Sequence, residues 1–252
     1  MEALANADQS TRQRYLPRLL GDPVRAVRIE AARALAGPAE AGLAPDERAR
    51  FDSALAEYIQ VQAYNADRPE GRAALGSLYA TRGNADAAIA EYRKAIELDP
   101  AFAPAYANLA DLYRAHGVET EAEKVLRTGV AKVPNAAALH HALGLVLVRQ
   151  KRYADALKEL AEAARLDPDN ARYAYVQAVA LNDTGQPQQA LKVLEAAQKR
   201  QPYDRDLLSG LAFYTARAGN REAALRYVGQ LRELDPENPA HAQLAKQIEG
   251  VR

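Results

Sequence analysis

The sequence predicts an all-α solenoid of stacked antiparallel helix pairs, and three observations predict it. Prolines recur at Pro100, Pro134, Pro168, Pro202 and Pro236, each 34 residues after the last. Between them apolar residues return at helical spacings of three and four, with alanine the most frequent, which suits close-packed helices better than sheets. Turn residues such as Gly83-Asn84, Gly117, Gly185 and Gly219 fall midway between successive prolines. A period of this length marks a solenoid, in which each helix pair buries its apolar face only by stacking on its neighbours.

The first 68 residues lie outside the regular array. YLPRLLGDPVRAVRIEAARALAG reads as a short amphipathic helix ending near Leu20, a Gly-Asp-Pro turn, and a second helix on which Val24, Val27, Ala31 and Leu35 share a face. Gly37 to Ala44 reads as a loop, and Pro45-Asp46 starts a longer helix reaching about Asn65. In it Ala54, Tyr58 and Val61 stand 34 residues before Ala88, Tyr92 and Ala95, as in the second helix of a degenerate repeat. Five copies follow, at 69–102, 103–136, 137–170, 171–204 and 205–238.

In the first copy Leu75, Gly76 and Tyr79 face one way on a first helix, with Gly76 placed for close approach of the second. Ala88, Tyr92 and Ala95 mark the inner face of that second helix, and Asp99-Pro100 closes the copy. The later copies repeat this through Leu109, Ala110 and Tyr113; Leu143, Gly144 and Leu147; Ala178 and Leu181; and Leu211 and Ala212. The third copy turns through Arg149-Gln150-Lys151-Arg152 without glycine. Residues 239–252 read as a capping helix, with Leu244 and Ile248 four apart.

These positions resemble the tetratricopeptide repeat family, in which Leu-Gly or Leu-Ala stands at repeat positions 7 and 8, Tyr at 11, Ala at 20 and 27, and Pro at 32. LGSLY and LADLY match it closely. The resemblance implies a right-handed superhelix that binds proteins rather than an enzyme. The family's aromatic at position 4 is kept as Tyr106 but replaced by Arg72, His140, Ala174 and Leu208. Gln177 stands at position 7 and Thr215 at position 11, departures expected to loosen local packing without moving the register. DPVRAVRIEAARAL resembles the second half of a HEAT repeat, a helical pair leading into the array. That order of segments is also similar to the tail of exported multi-haem cytochrome-related proteins.

Composition removes several kinds of chemistry. With no cysteine there is no disulfide, thiolate nucleophile, Cys-based zinc site or haem attachment. No run approaches the ~18 apolar residues of a membrane helix. The formal net charge is zero, which argues against nucleic acid as a partner. One local exception is Arg12 to Arg33, with six arginines against Asp22 and Glu30, expected to solvate a helix face. His140 and His141 are adjacent, so they point about 100° apart on a helix and do not make the paired ligands a metal needs. His140 takes a packing position and His141 a groove position. The carboxylates of DPDN and DPEN sit in turns, where Asp and Asn cap helices. No serine lies in a nucleophile elbow and the glycines never gather into a phosphate loop. No catalytic residue, metal or cofactor is expected. MEALANADQSTRQR has no apolar signal core, so the chain as it stands is expected in the cytoplasm, and in the periplasm if it is a piece of an exported protein.

In the family the first helices line the concave face through positions 2, 5, 9, 12 and 13. The resemblance therefore implies a groove whose early part is polar, with Asn108, Asp111 and Arg114, and whose later part is apolar and aromatic. That later part comprises Leu145, Val148, Tyr175, Val179 and Phe213, with His141, Arg149, Asn182 and Arg217 beside them. Aromatic anchors near a few polar groups suit recognition of a protein or peptide, and self-association is the alternative. The family's carboxylate-gripping subclass uses Lys at position 5 and Asn at position 9 of its first repeat, where this chain has Ala73 and Ser77.

Overall fold

The computed structural model describes residue 4 and residues 6–250. The outermost residues of the first segment and of the predicted cap, 1–3, 5, 251 and 252, lie outside the described residues. The chain is all-α, a solenoid of stacked helix pairs, and no strand occurs among the described residues. It divides into two compact units, residues 1–133 and 134–252.

Unit 1 begins with α1 (Gln9–Tyr15), capped by Asp8, whose Oδ1 accepts from the Thr11 N–H at 2.9 Å. A 3-10 turn, Leu16–Leu19, takes over where one helix was expected to run on to Leu20. Pro17 is the reason: it has no N–H to continue the ladder. Next comes α2 (Arg25–Leu35), whose buried face is Ala31, Ala32, Ala34 and Leu35. Val24, expected on that face, precedes the helix and is 56% exposed, while Val27 is half-buried. The predicted loop contains a second 3-10 turn, Pro38–Gly42, which buries Ala39 completely. Gly37 enters that turn at φ +88°, so close to the following segment that an added Cβ would lie 2.6 Å from the Thr81 carbonyl oxygen.

The long α3 (Pro45–Tyr64) packs Phe51, Leu55 and Tyr58 against Leu16, Leu20 and Leu35. Leu78, from α4 (Pro69–Thr81), closes the same core, which binds the irregular first segment to the array. Outside this core Glu57 accepts from Arg28 twice, at 2.9 and 2.8 Å, and from Arg25 at 3.0 Å, tying α2 to α3. Arg12 donates to the Ala34 carbonyl and Arg33 to Glu30. Arg12, Arg25 and Arg28 thus fasten helices together, while Arg14, Arg18, Arg25 and Arg33 are exposed to solvent as expected.

The array continues with α5 (Ala85–Leu98), α6 (Ala103–Ala115) and α7 (Glu119–Lys132). Unit 2 holds α8 (Ala137–Arg149), α9 (Tyr153–Leu166), α10 (Ala171–Asp183), α11 (Pro187–Arg200), α12 (Arg205–Arg217), α13 (Arg221–Leu234) and α14 (Pro239–Gly250). First helices start at 69, 103, 137, 171 and 205, and second helices at 85, 119, 153, 187 and 221. Within pairs the turn passes through a positive φ, at Gly83, Gly117, Gly185 and Gly219 and, in the pair without glycine, at Lys151 (φ 61°). Close helix approach explains two other glycines. A Cβ on Gly76 would meet the Tyr92 ring at 2.7 Å, and one on Gly144 would meet Leu160 at 2.7 Å.

The position-4 departures do not loosen the packing everywhere. Tyr106 donates from its hydroxyl to the Pro100 carbonyl at 3.0 Å. Arg72 reaches the equivalent Ala66 carbonyl at 2.8 Å, and His140 Nε2 the Pro134 carbonyl at 2.9 Å. Each of these two polar substitutes also meets a glutamate on the second helix: Glu91 lies 3.0 Å from Arg72, and Glu159 2.7 Å from His140. A polar pair replaces the aromatic while keeping its hydrogen bond to the turn. Ala174 and Leu208 are buried at 7% and 0% exposure.

Candidate protein-binding groove

Three of the expected groove residues belong to unit 1 and nine to unit 2. In unit 1, Asn108 is half-buried on α6, and Arg114 donates to Asp111 at 3.3 Å with both side chains open to water. An exposed pair three residues apart on a helix contributes a few tenths of a kcal/mol, so both groups remain available to a ligand.

In unit 2, α10 and α12 lie side by side. Phe213 on α12 is 47% exposed, with the Arg217 guanidinium 5.6 Å above its ring centre and Tyr214 edge-on at 5.2 Å. A cation over the ring face and an aromatic at its edge hold the exposed ring in one place. On α10, Val179 is half-buried and Asn182 donates to Asp183 at 3.3 Å. Leu145 and Val148 on α8 are half-buried, and Arg149 at its end is exposed. Tyr175 does something the sequence did not announce. Its ring lies over Gly210 of α12, where a Cβ would come within 3.1 Å. It therefore seals the α10–α12 contact.

His141 differs from the expectation of a groove-lining side chain. It is only 8% exposed, both ring nitrogens are enclosed without a hydrogen-bond partner, and the ring packs 4.7 Å from that of Tyr173. Burial, and then the charge of Arg172, push its pKa below the usual 6.5, so the neutral imidazole is favoured. Tyr173, at position 3 of its copy, was not picked out from the sequence because nothing in the repeat pattern points that position at a neighbouring first helix. His140 is the satisfied packing histidine expected. Among the described residues no group of three or more His, Asp or Glu side chains gathers to hold a metal. None of the described helices is long and apolar enough to cross a membrane. In the DPDN and DPEN turns, Asp167 and Asp235 accept from Asn170 and Asn238 at 3.4 Å, and Asn238 accepts from the Ala240 N–H at 3.1 Å, whereas Asn170 makes no side-chain cap bond to the helix it precedes.

Stacked helix pairs with a turn inside each define a helical-repeat scaffold. The tetratricopeptide repeat profile matches residues 107–171 and 141–205, and a second TPR repeat profile matches 76–117. The chain belongs to the tetratricopeptide repeat family. It is 35% identical over 100 residues to the type IV pilus assembly protein PilF of Pseudomonas aeruginosa, a match spanning 39% of this chain and 40% of that protein. The solved structure of Pseudomonas aeruginosa pilF is similar at TM-score 0.59 and 25% identity, over 72% of this chain and 84% of that one. YrrB, described as a TPR protein with an unusual peptide-binding site, matches at TM-score 0.56 and 22% identity, over 76% of this chain and 97% of its own. MamA matches at TM-score 0.56 and 21% identity, over 65% and 95%. The last two likenesses concern the fold. Proteins of this fold act generally as protein–protein interaction scaffolds.

Proposed function

We propose that this chain is a non-enzymatic scaffold that holds a peptide or helical segment of a partner protein in the concave face of unit 2. The single observation that supports this most is Phe213: a large ring 47% exposed, braced by Arg217, at a position the family turns inwards. An exposed aromatic already held in place loses little freedom on binding and buries apolar area, which is how an interface anchor works. Half-buried Leu145, Val148 and Val179 supply an apolar floor, and Asn182 with Asp183 a polar edge. The evenly spaced helix starts support a reading of five in-phase repeats, with the HEAT-like pair docked ahead of them. The partial likeness to a pilus assembly protein supports a role in assembling a larger protein complex, without naming its components.

Phe213→Ala tests the groove directly, because that ring is not part of the core, whereas Tyr175→Ala would also open the α10–α12 contact. Binding partners captured by quantitative crosslinking should weaken by about 1–3 kcal/mol for a central anchor, with the melting temperature unchanged. If Phe213→Ala and Val179→Asp both retain every partner of the wild type, the groove reading is wrong.

A further inference from the structure

We propose that His141 is an acid-operated latch in unit 2, holding α8 against α10 while its ring is neutral and releasing α8 when the ring takes up a proton. The ring is 8% exposed and packs 4.7 Å from the Tyr173 ring, so it fills the seam between the two helices. Neither ring nitrogen has a hydrogen-bond partner, and both are closed off from water. Among the described residues the one other enclosed side-chain atom in that state is Arg12 Nε, on a guanidinium already bonded through Nη1 to the Ala34 carbonyl.

A neutral imidazole leaves one donor and one acceptor unmatched in that enclosure. The protonated ring would bring two donors and a charge into the same space, where no acceptor receives them. From α10 the charged group acting on the ring is Arg172, a cation, and the titratable group in contact is Tyr173, whose hydroxyl feels Asp167 of the preceding turn. The three carboxylates of α9 are all engaged elsewhere. His140 holds Glu159 at 2.7 Å, Arg165 holds Glu162 at 2.6 and 2.8 Å, and Asp155 meets Arg152 and Lys158 at 3.2 and 3.6 Å. His140, the neighbour on α8, also reaches the Pro134 carbonyl at 2.9 Å. Burial, and then Arg172, accordingly hold the His141 pKa below the usual 6.5. The ring accepts its proton by leaving the seam for water.

Its departure breaks the ring contact that joins α8 to α10, and a close-packed interior does not refill the vacated space without moving the helices. Leu145 stands one turn beyond His141 on the same face of α8, and Val148 lies on the same helix, so both move with it. The seam on the other side of α10 has no such device: Tyr175 closes it over the backbone of Gly210, a contact without a histidine. Acid therefore loosens α8 and leaves the α10–α12 side in place. Because Leu145 and Val148 floor the proposed groove, the same step weakens a partner's hold there. That consequence rests on the groove reading; the latch itself does not.

The test is NMR on the full chain with no partner present, from about pH 7.5 to about pH 5, following the His141 and Tyr173 rings and the methyls of Leu145 and Val148. At the upper pH a ring–ring NOE between His141 and Tyr173 is expected. It should be lost as His141 titrates, with both sets of methyls shifting at the same midpoint, below the usual 6.5. The NOE from the Tyr175 ring to Gly210 should persist throughout. His141→Phe keeps a ring beside Tyr173 that takes no proton, so it should abolish these methyl shifts. The proposal fails if His141 titrates with its Tyr173 contact intact, if its midpoint is not lowered, or if the methyl shifts survive in His141→Phe, which would assign them to another group such as His140. The first two outcomes are read on the wild type, so a poorly folded variant does not blunt the test. Phe213→Ala removes the groove anchor and should leave the titration unchanged, so the latch and the groove stand or fall separately.

Discussion

His141 puts a pH dependence into a chain otherwise held by apolar contacts and caps. Its ring is enclosed with both nitrogens unpartnered, and its pKa is pushed below the usual 6.5 by burial and then by Arg172. The unfolded chain takes up a proton near pH 6.5 that the folded ring refuses until the pH is lower. Stability is therefore complete above pH 6.5 and falls as the pH drops below it, through the lowered pKa of the folded ring. Paired carboxylates act in another window. Arg28 holds Glu57 below its usual 4.5, so its contribution is present above that value and is lost only in stronger acid. His141→Phe, which keeps a ring beside Tyr173 and removes the unpaired nitrogens, should melt no lower than wild type at pH 7.5. It should also lose less stability between pH 6.5 and 5; a parallel loss in both proteins would contradict this account.

At the scale of the element, the helix pairs are set by their turns and by the residue at position 4. Four pairs turn through glycine at positive φ, with φ between 74° and 84°. The α8–α9 pair does so through Lys151 at φ 61°, a conformation costing an L-residue about 1–2 kcal/mol. Lys151→Gly should raise stability by about 0.5–1 kcal/mol, the relief being partly offset by glycine's greater freedom in the unfolded chain. Urea unfolding checks this: the midpoint should move up with the slope unchanged. Arg72 and His140 show how a family signature can change while its job survives. Each keeps the hydrogen bond to the carbonyl six residues back and adds a glutamate partner nineteen residues on. Sequence matching registers these as losses because the compensating Glu91 and Glu159 lie on another helix.

For the molecule as a whole, a stack must cover its ends. In unit 2 the helix α14 lays Ile248, 5% exposed, on Ala212, Ala224 and Val228. Its outer face, including Gln243, Lys246 and Gln247, is exposed and polar, as a cap requires. Deleting residues 239–252 should strip protection from α13 in hydrogen exchange and produce concentration-dependent self-association in light scattering. Ile248→Ala should cost about 2–3 kcal/mol without self-association. A monomeric deletion variant with full α13 protection would show that α14 is not a cap.

The sequence by itself determined the all-α class, the spacing of the helices, the placing of the turns and the packing role of His140. These follow from residues near one another in the chain: a proline or glycine acts on its own backbone, and an apolar period of three and four makes one helix face. The repeat register also picked out Phe213 and Val179 for the inner face. Tertiary packing alone decided the rest. It buried His141 against Tyr173, laid Tyr175 over Gly210, and tied Arg25 and Arg28 to Glu57. It also brought Arg33, Tyr58 and Ser77, from three different helices, around one pocket. Such contacts depend on which helices meet and at what depth, and no local pattern records that.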